Sequence, residues 1–160
     1  IEWLALQRIG QYLGAPVRFD SLQQAADAMW IMSSSFGPHT AQQWLELSRH
    51  MVRTLPDGGL AMHYDPAIAQ AFKAMTPEVS AASAMQLWQL YDRIHARTLL
   101  LRGAQSDLLS PETAQAMVHR GPMAKLVEFE GVGHAPTLMA QDQVQVVSEF
   151  LLAPEATVAA

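Results

Sequence analysis

The chain contains no cysteine. That excludes a disulfide framework, a thiolate nucleophile and a cysteine-based metal site, and it fits a cytoplasmic protein. Charge is sparse as well: 16% of the residues are charged, with 15 acids against 10 bases and a formal net charge of −5. An acidic excess argues against nucleic acid as the main partner and against an anionic membrane surface, because both reward a basic face. No run of 18 apolar residues occurs, so no membrane-spanning segment is expected. Internal repeats and low-complexity tracts are missing too. The chain starts at Ile1, already inside a helical pattern, with no charged leader and cleavage site. This start in mid-pattern raises the expectation that part of the fold lies upstream. What is present is a chain of 160 residues, half of them hydrophobic, which is the composition of a folded domain with a real core.

The pattern changes character near Ile94. Before it, the spacing is helical. Trp3, Leu6, Ile9 and Leu13 share one face, and Gly14 followed by Pro16 stops that helix. Ser21 caps a second helix with Leu22, Ala25, Ala26, Met29 and Trp30 on one side. A third starts near Thr40 and carries Trp44, Leu45, Ser48, Met51 and Val52 on one side. Pro56-Asp57-Gly58-Gly59 reads as a tight turn, and Asp65-Pro66 as a helix start. Two more helices are expected over about 66–75 and 80–92, the latter burying Met85, Trp88 and Tyr91.

After Ile94 the pattern becomes strand, helix, strand, helix. Thr98-Leu99-Leu100-Leu101 is a short continuous apolar run ending at Gly103, as a strand buried on both faces shows, and the strand is read over 98–102. Ser110-Pro111-Glu112 opens a helix that Gly121-Pro122 ends, and 126–130 is a second strand closed by Gly131-Val132-Gly133. A last helix covers Gln141 to Leu152 with Val144, Val147, Phe150 and Leu151 inward, and the tail 153–160 is expected to fray. A strand-helix-strand unit of this length joins parallel strands, so the loops leaving their C-terminal ends are neighbours. One loop carries Asp107 and the other His134. A carboxylate beside one imidazole nitrogen sets its tautomer and leaves the other nitrogen free as a general base. Either residue alone reads as ordinary structure, Asp107 as a turn aspartate and His134 as a buried histidine. Their joint placement is what points to catalysis.

The stretch Leu99-Leu100-Leu101-Arg102-Gly103-Ala104-Gln105-Ser106-Asp107, followed by Gly131-Val132-Gly133-His134-Ala135-Pro136, resembles the last two sheet strands of the alpha/beta-hydrolase family. The resemblance implies an α/β fold in its C-terminal portion. Residues 1–92 stand where the family inserts a helical cap, 93–152 where the end of its core lies. It places Asp107 at the position of the catalytic acid and His134 at that of the base. It further implies hydrolysis of a small apolar ester by a Ser-His-Asp triad, with no cofactor and no metal. The family's nucleophile sits in a Gly-x-Ser-x-Gly turn, and no such turn exists here. Ser33-Ser34-Ser35-Phe36-Gly37 lacks the first glycine and a preceding strand, and reads as a helix end. The serine and the oxyanion loops are thus expected outside this chain, which by itself is expected to be inactive. Arg97 stands where many relatives have proline, a change expected to touch only the approach to the strand.

Other readings remain open at this point. An aspartate nucleophile would give epoxide hydrolase or dehalogenase chemistry with His134 activating water. The chain is alternatively a non-catalytic piece that pairs with another chain. Met29, Trp30 and Met32 are the residues offered for an apolar substrate cleft under the cap. His39, His50, His63, His95 and His119 lack metal-ligand spacing and are read as surface or structural, and Ser106 and Ser110 as loop and cap residues. A sheet of only two strands leaves an open edge, covered either by a missing N-terminal half or by self-association.

Overall fold

The computed structural model describes residues 3–134 and 136–154. Ala135 and most of the expected frayed tail, residues 155–160, lie outside the described residues.

Helix α1 (Trp3–Tyr12) follows the Trp3/Leu6/Ile9 spacing and ends at Gly14. Gly14 has φ +77°, and a Cβ there would stand 2.6 Å from the Cβ of Ala69, so a glycine is required both for the turn and for close approach. Strand β1 (Arg18–Phe19) leads into helix α2 (Leu22–Ser33), whose first turn is capped by the Ser21 hydroxyl accepting from the Gln24 amide. A short 3-10 turn, Ser34–Phe36, follows, so the serine run is a helix end as its composition suggested. Helix α3 (Ala41–Arg49) starts at a complete capping box between Thr40 and Gln43. Helices α2 and α3 face each other and bury Ala25, Ala26, Met29 and Trp44, with Phe19 closing the cluster. The indole N–H of Trp44 donates to the carbonyl of Ala26 at 2.8 Å, which satisfies the one polar atom this large side chain brings inside.

The helical expectation for residues 1–92 needs correction here. Strands β2 (Val52–Thr54) and β3 (Leu60–Met62) form an antiparallel sheet with β1, in the order β1-β3-β2. Met51 and Val52 therefore do not continue the α3 stripe. The helix stops at Arg49, and the chain runs through a tightened turn (Met51 N to Ser48 O, 3.0 Å) into the strand. The turn read at Pro56–Gly59 is the hairpin connection, with Gly58 at φ +84° and Leu55 N donating to Gly59 O at 2.7 Å. Strands of two or three residues are too short for a period of two to show against a neighbouring helical stripe.

Helix α4 (Ile68–Lys73) is shorter than expected, because Asp65 uses its carboxylate in a turn with the Ala67 amide (2.8 Å). Helix α5 (Pro77–Tyr91) starts earlier than expected, at the Thr76 cap with Pro77 in the first turn. It buries none of its residues fully. Trp88 and Tyr91 are half-buried, packed edge to face, and Met85 is 67% exposed, which corrects the expected buried stripe.

The C-terminal unit is β4 (Leu99–Gly103), α6 (Pro111–Val118), β5 (Lys125–Phe129) and α7 (Gln141–Leu152). Strands β4 and β5 are parallel, in register from Leu99 opposite Lys125 to Gly103 opposite Phe129. Among the described residues each has one strand neighbour, as the open-edge expectation requires. The inward stripe expected on α7 is only partly so: Val147 and Phe150 are half-buried, while Val144 and Leu151 are exposed. Arg97 does more than lead into β4. Its guanidinium donates to the carbonyls of Phe150 and Ala153 and stacks on the Phe150 ring, a cation holding the C-terminal end of α7.

Candidate active site

The two loops beyond β4 and β5 are laced together. Ala104 N donates to Phe129 O (2.9 Å) and Gln105 N to Val132 O (3.0 Å), extending the strand pairing into the loops. Gly103 sits where they cross: a Cβ on it would lie 1.9 Å from the Gly133 carbonyl oxygen and 2.3 Å from that of Val132. No other residue type fits there without moving backbone. This crossing brings Asp107, on the first loop, and His134, on the second, close enough that each biases the other's ionisation.

Both residues are solvent-accessible. The hydrogen bond from Arg8 of α1 is the main cause holding the Asp107 carboxyl below the usual range, and the positive charge of Arg8 adds to it; His134 contributes less. Partial desolvation of the imidazole lowers the His134 pKa from its ordinary value; the Asp107 charge opposes that shift and the Arg8 charge reinforces it. A lowered pKa keeps the imidazole neutral, the form a general base needs. Arg8 pairs with Asp107, so the carboxylate that would orient His134 is engaged by a cation from α1, and it acts on His134 through its charge and not through a hydrogen bond. No motif marked Arg8 in the sequence; its role comes from where α1 packs.

The region before the sheet also holds the histidine loop. The Gly133 amide donates to the Ser35 carbonyl, and a Cβ on Gly133 would stand 2.5 Å from that oxygen. Gly37, at φ +120°, packs against Val132. His39 bridges the two regions, with Nδ1 2.8 Å from the Gly37 carbonyl and Nε2 2.8 Å from the Thr137 hydroxyl. Its structural reading stands, with a more specific task than the sequence revealed.

Of the three residues offered for a substrate cleft, Met29 is only 4% exposed and belongs to the α2–α3 core, so it lines no open cleft. Trp30 lies on the neighbouring face of α2 and lines a cavity of about 380 Å3 with Gln23, Asp27, His39 and Trp44. Met32 is 52% exposed and stands apart from that lining. Ser110 caps α6 (Thr113 N at 3.3 Å), and the Ser106 hydroxyl accepts from Leu109 N (3.2 Å), a loop-closing bond. Among the described residues no three His, Cys, Asp or Glu side chains gather as metal ligands. No described helix is long and apolar enough to cross a membrane.

Comparison with known proteins converges on one fold family. No protein-family model matches the chain. Over 149 residues it is 42% identical to the 3-hydroxybutyrate-oligomer hydrolase of Cupriavidus necator, a match covering 91% of this chain and 51% of that protein. A crystal structure of an alpha/beta hydrolase from Novosphingobium aromaticivorans superposes with a TM-score of 0.76 at 33% identity, over 93% of this chain and 52% of that one. A Rickettsia typhi protein described as a hydrolase gives the same TM-score, 0.76, at 26% identity, over 94% of this chain and 49% of that one. The chain thus spans about half the length of the relatives it matches. Its structure is that of the C-terminal portion of the alpha/beta-hydrolase fold.

Proposed function

We propose that the full-length protein to which this chain corresponds hydrolyses carboxylic esters by a Ser-His-Asp triad. Asp107 and His134 supply the acid and the base, and the serine lies outside these 160 residues. The observation that carries the reading is the juxtaposition of Asp107 and His134 on two interlocked loops at the C-terminal ends of parallel strands. In such a site the serine attacks the ester carbonyl while His134 takes its proton. His134 returns that proton to the leaving alcohol, and water then releases the acyl group by the same relay. Asp107 holds the imidazole in the required tautomer and balances the imidazolium.

The 42% identity to a 3-hydroxybutyrate-oligomer hydrolase favours esters of short hydroxy acids as the substrate class. The test is turnover of 3-hydroxybutyrate oligomers and of p-nitrophenyl esters by the full-length protein, with active sites titrated by a serine-reactive phosphonate. Stoichiometric labelling with loss of both activities supports the reading. Turnover that survives full phosphonate labelling, or labelling of a residue other than serine, overturns it.

A further inference from the structure

Arg102 stands out as a charge placed where the β4 run is otherwise apolar. Its side chain is 3% exposed, so the guanidinium is buried at the base of the acid loop. Burying such a cation is costly unless it is paired and its donors are used. Three acceptors supply that compensation, and two of them lie within the loop that carries Asp107. Nε donates to the Leu109 carbonyl at 2.8 Å, and one terminal nitrogen faces the Ser106 carbonyl at 3.4 Å. The other terminal nitrogen pairs with Glu128 at 2.5 Å, the residue directly opposite Arg102 in the β4–β5 register. Ser106 is itself buried and closes the same turn through its hydroxyl and the Leu109 amide. The residues bound by Arg102 flank Asp107 on both sides along the chain.

We propose that Arg102 is a positioning residue for the catalytic acid. Its planar fork ties the backbone on either side of Asp107 to the end of β4, and Glu128 fixes the fork against β5, the strand that delivers His134. The spacing between acid and base is then set by one guanidinium bound to both strands. A lysine keeps the charge but reaches these three acceptors poorly, because an ammonium is a point donor without the planar fork. This inference rests on the triad reading above and predicts how the acid is held, a separate matter from whether it is the acid.

The experiment uses the full-length protein with ester turnover expressed per titrated active site. Arg102→Met keeps most of the buried stem and removes the fork. The expected result is a fall in kcat of roughly 100-fold, the size associated with small misplacement of a catalytic group, with KM little changed. The acid limb of the kcat profile should move to lower pH, since a displaced Asp107 no longer supports the imidazolium, while Arg8, the other charge acting on His134, disfavours it. Arg102→Lys should recover only part of the loss. The decisive comparison is made in an Asp107→Asn background. If Arg102 acts through Asp107, adding Arg102→Met there costs little further kcat. An equal loss in both backgrounds, or a lower melting temperature with kcat and pH profile unchanged, overturns the proposal. Should Arg102→Met fail to fold, Glu128→Gln carries the same comparison, with a smaller loss that must also vanish in the Asp107→Asn background. Failure of the triad reading looks different: Asp107→Asn alone would then keep wild-type turnover.

Discussion

Between Arg18 and Met62, two capped helices and a small antiparallel sheet close on one another. Phe19, Ala25, Ala26, Met29 and Trp44 are buried among themselves, with Leu45, Leu47 and Leu60 packed against them. Between Leu99 and Leu152 the arrangement differs. Leu108, Phe129 and Val132 are buried there, but Leu99, Leu100 and Leu101 are only half-buried and Val144, Leu151 and Leu152 are exposed. The two regions differ because a parallel sheet is normally covered on both faces, whereas an antiparallel one needs a single covered face. The candidate site therefore sits on strands whose apolar residues this chain covers only in part. Its acid and histidine are held locally by interlocked loops, and the surrounding layer has to come from elsewhere in the fold.

The largest effects should fall on the C-terminal loops. In the full-length protein, His134→Ala is expected to lower kcat by about a million-fold and Asp107→Asn by about ten thousand-fold, with melting temperatures near wild type. Steady-state kinetics on titrated enzyme checks this; near-wild-type rates in either variant remove the assignment. The 160-residue chain alone, which has no Gly-x-Ser-x-Gly turn, is expected to show no active-site-titratable esterase activity. A burst of p-nitrophenol from the purified chain, stoichiometric with protein, would break the contrast between a locally held pair and a site completed elsewhere.

Stability should separate the two regions next. Trp44→Ala removes the centre of a closed core and is expected to cost about 3–5 kcal/mol, whereas Leu100→Ala on a half-buried strand should cost near or below about 2 kcal/mol in the isolated chain. Denaturant melts of both variants test the ordering. Amide exchange sharpens the same point: slow exchange should concentrate in α2 and α3, with β4 and β5 opening more readily. We also expect the isolated chain to self-associate through its open sheet edge, which sedimentation across a concentration series reports. A cooperative monomer with uniformly protected strands would show that the two regions are equally complete.

The smallest effect concerns pH. His134 is held below the ordinary histidine value, chiefly by desolvation, so it stays neutral further into acid. The acid limb of kcat/KM should accordingly lie below the usual value of about 6.5, and activity should be lost as pH falls through it. Arg8→Gln removes a cation that disfavours the imidazolium, so that limb should rise toward neutrality. A limb that stays put would mean that Arg8 does not reach His134 in the full-length protein.

Much of the layout followed from the residues in order. The alternation of strand and helix after Ile94, the caps at Ser21 and Ser110, and the placement of Asp107 and His134 on neighbouring loops all rest on local rules: periodicity, capping chemistry and the geometry of parallel strands. The three-stranded antiparallel sheet was not legible, because its strands are too short to display a period. Nor was the exposure of Met85, Val144 and Leu151: helical spacing says which side chains share a face, and only the packed structure says whether anything covers that face. Met29 and Trp30, adjacent on one helix, part in the same way, one into the core and the other, packed edge to face on Trp44, onto a cavity. The pairing of Arg8 with Asp107, the bridge from His39 to Thr137 and the buried fork of Arg102 join residues far apart in the chain or across strands. Sequence determined which chemical groups reach the ends of β4 and β5. Tertiary structure decided what holds them there, since burial and charge pairing depend on neighbours that no local pattern names.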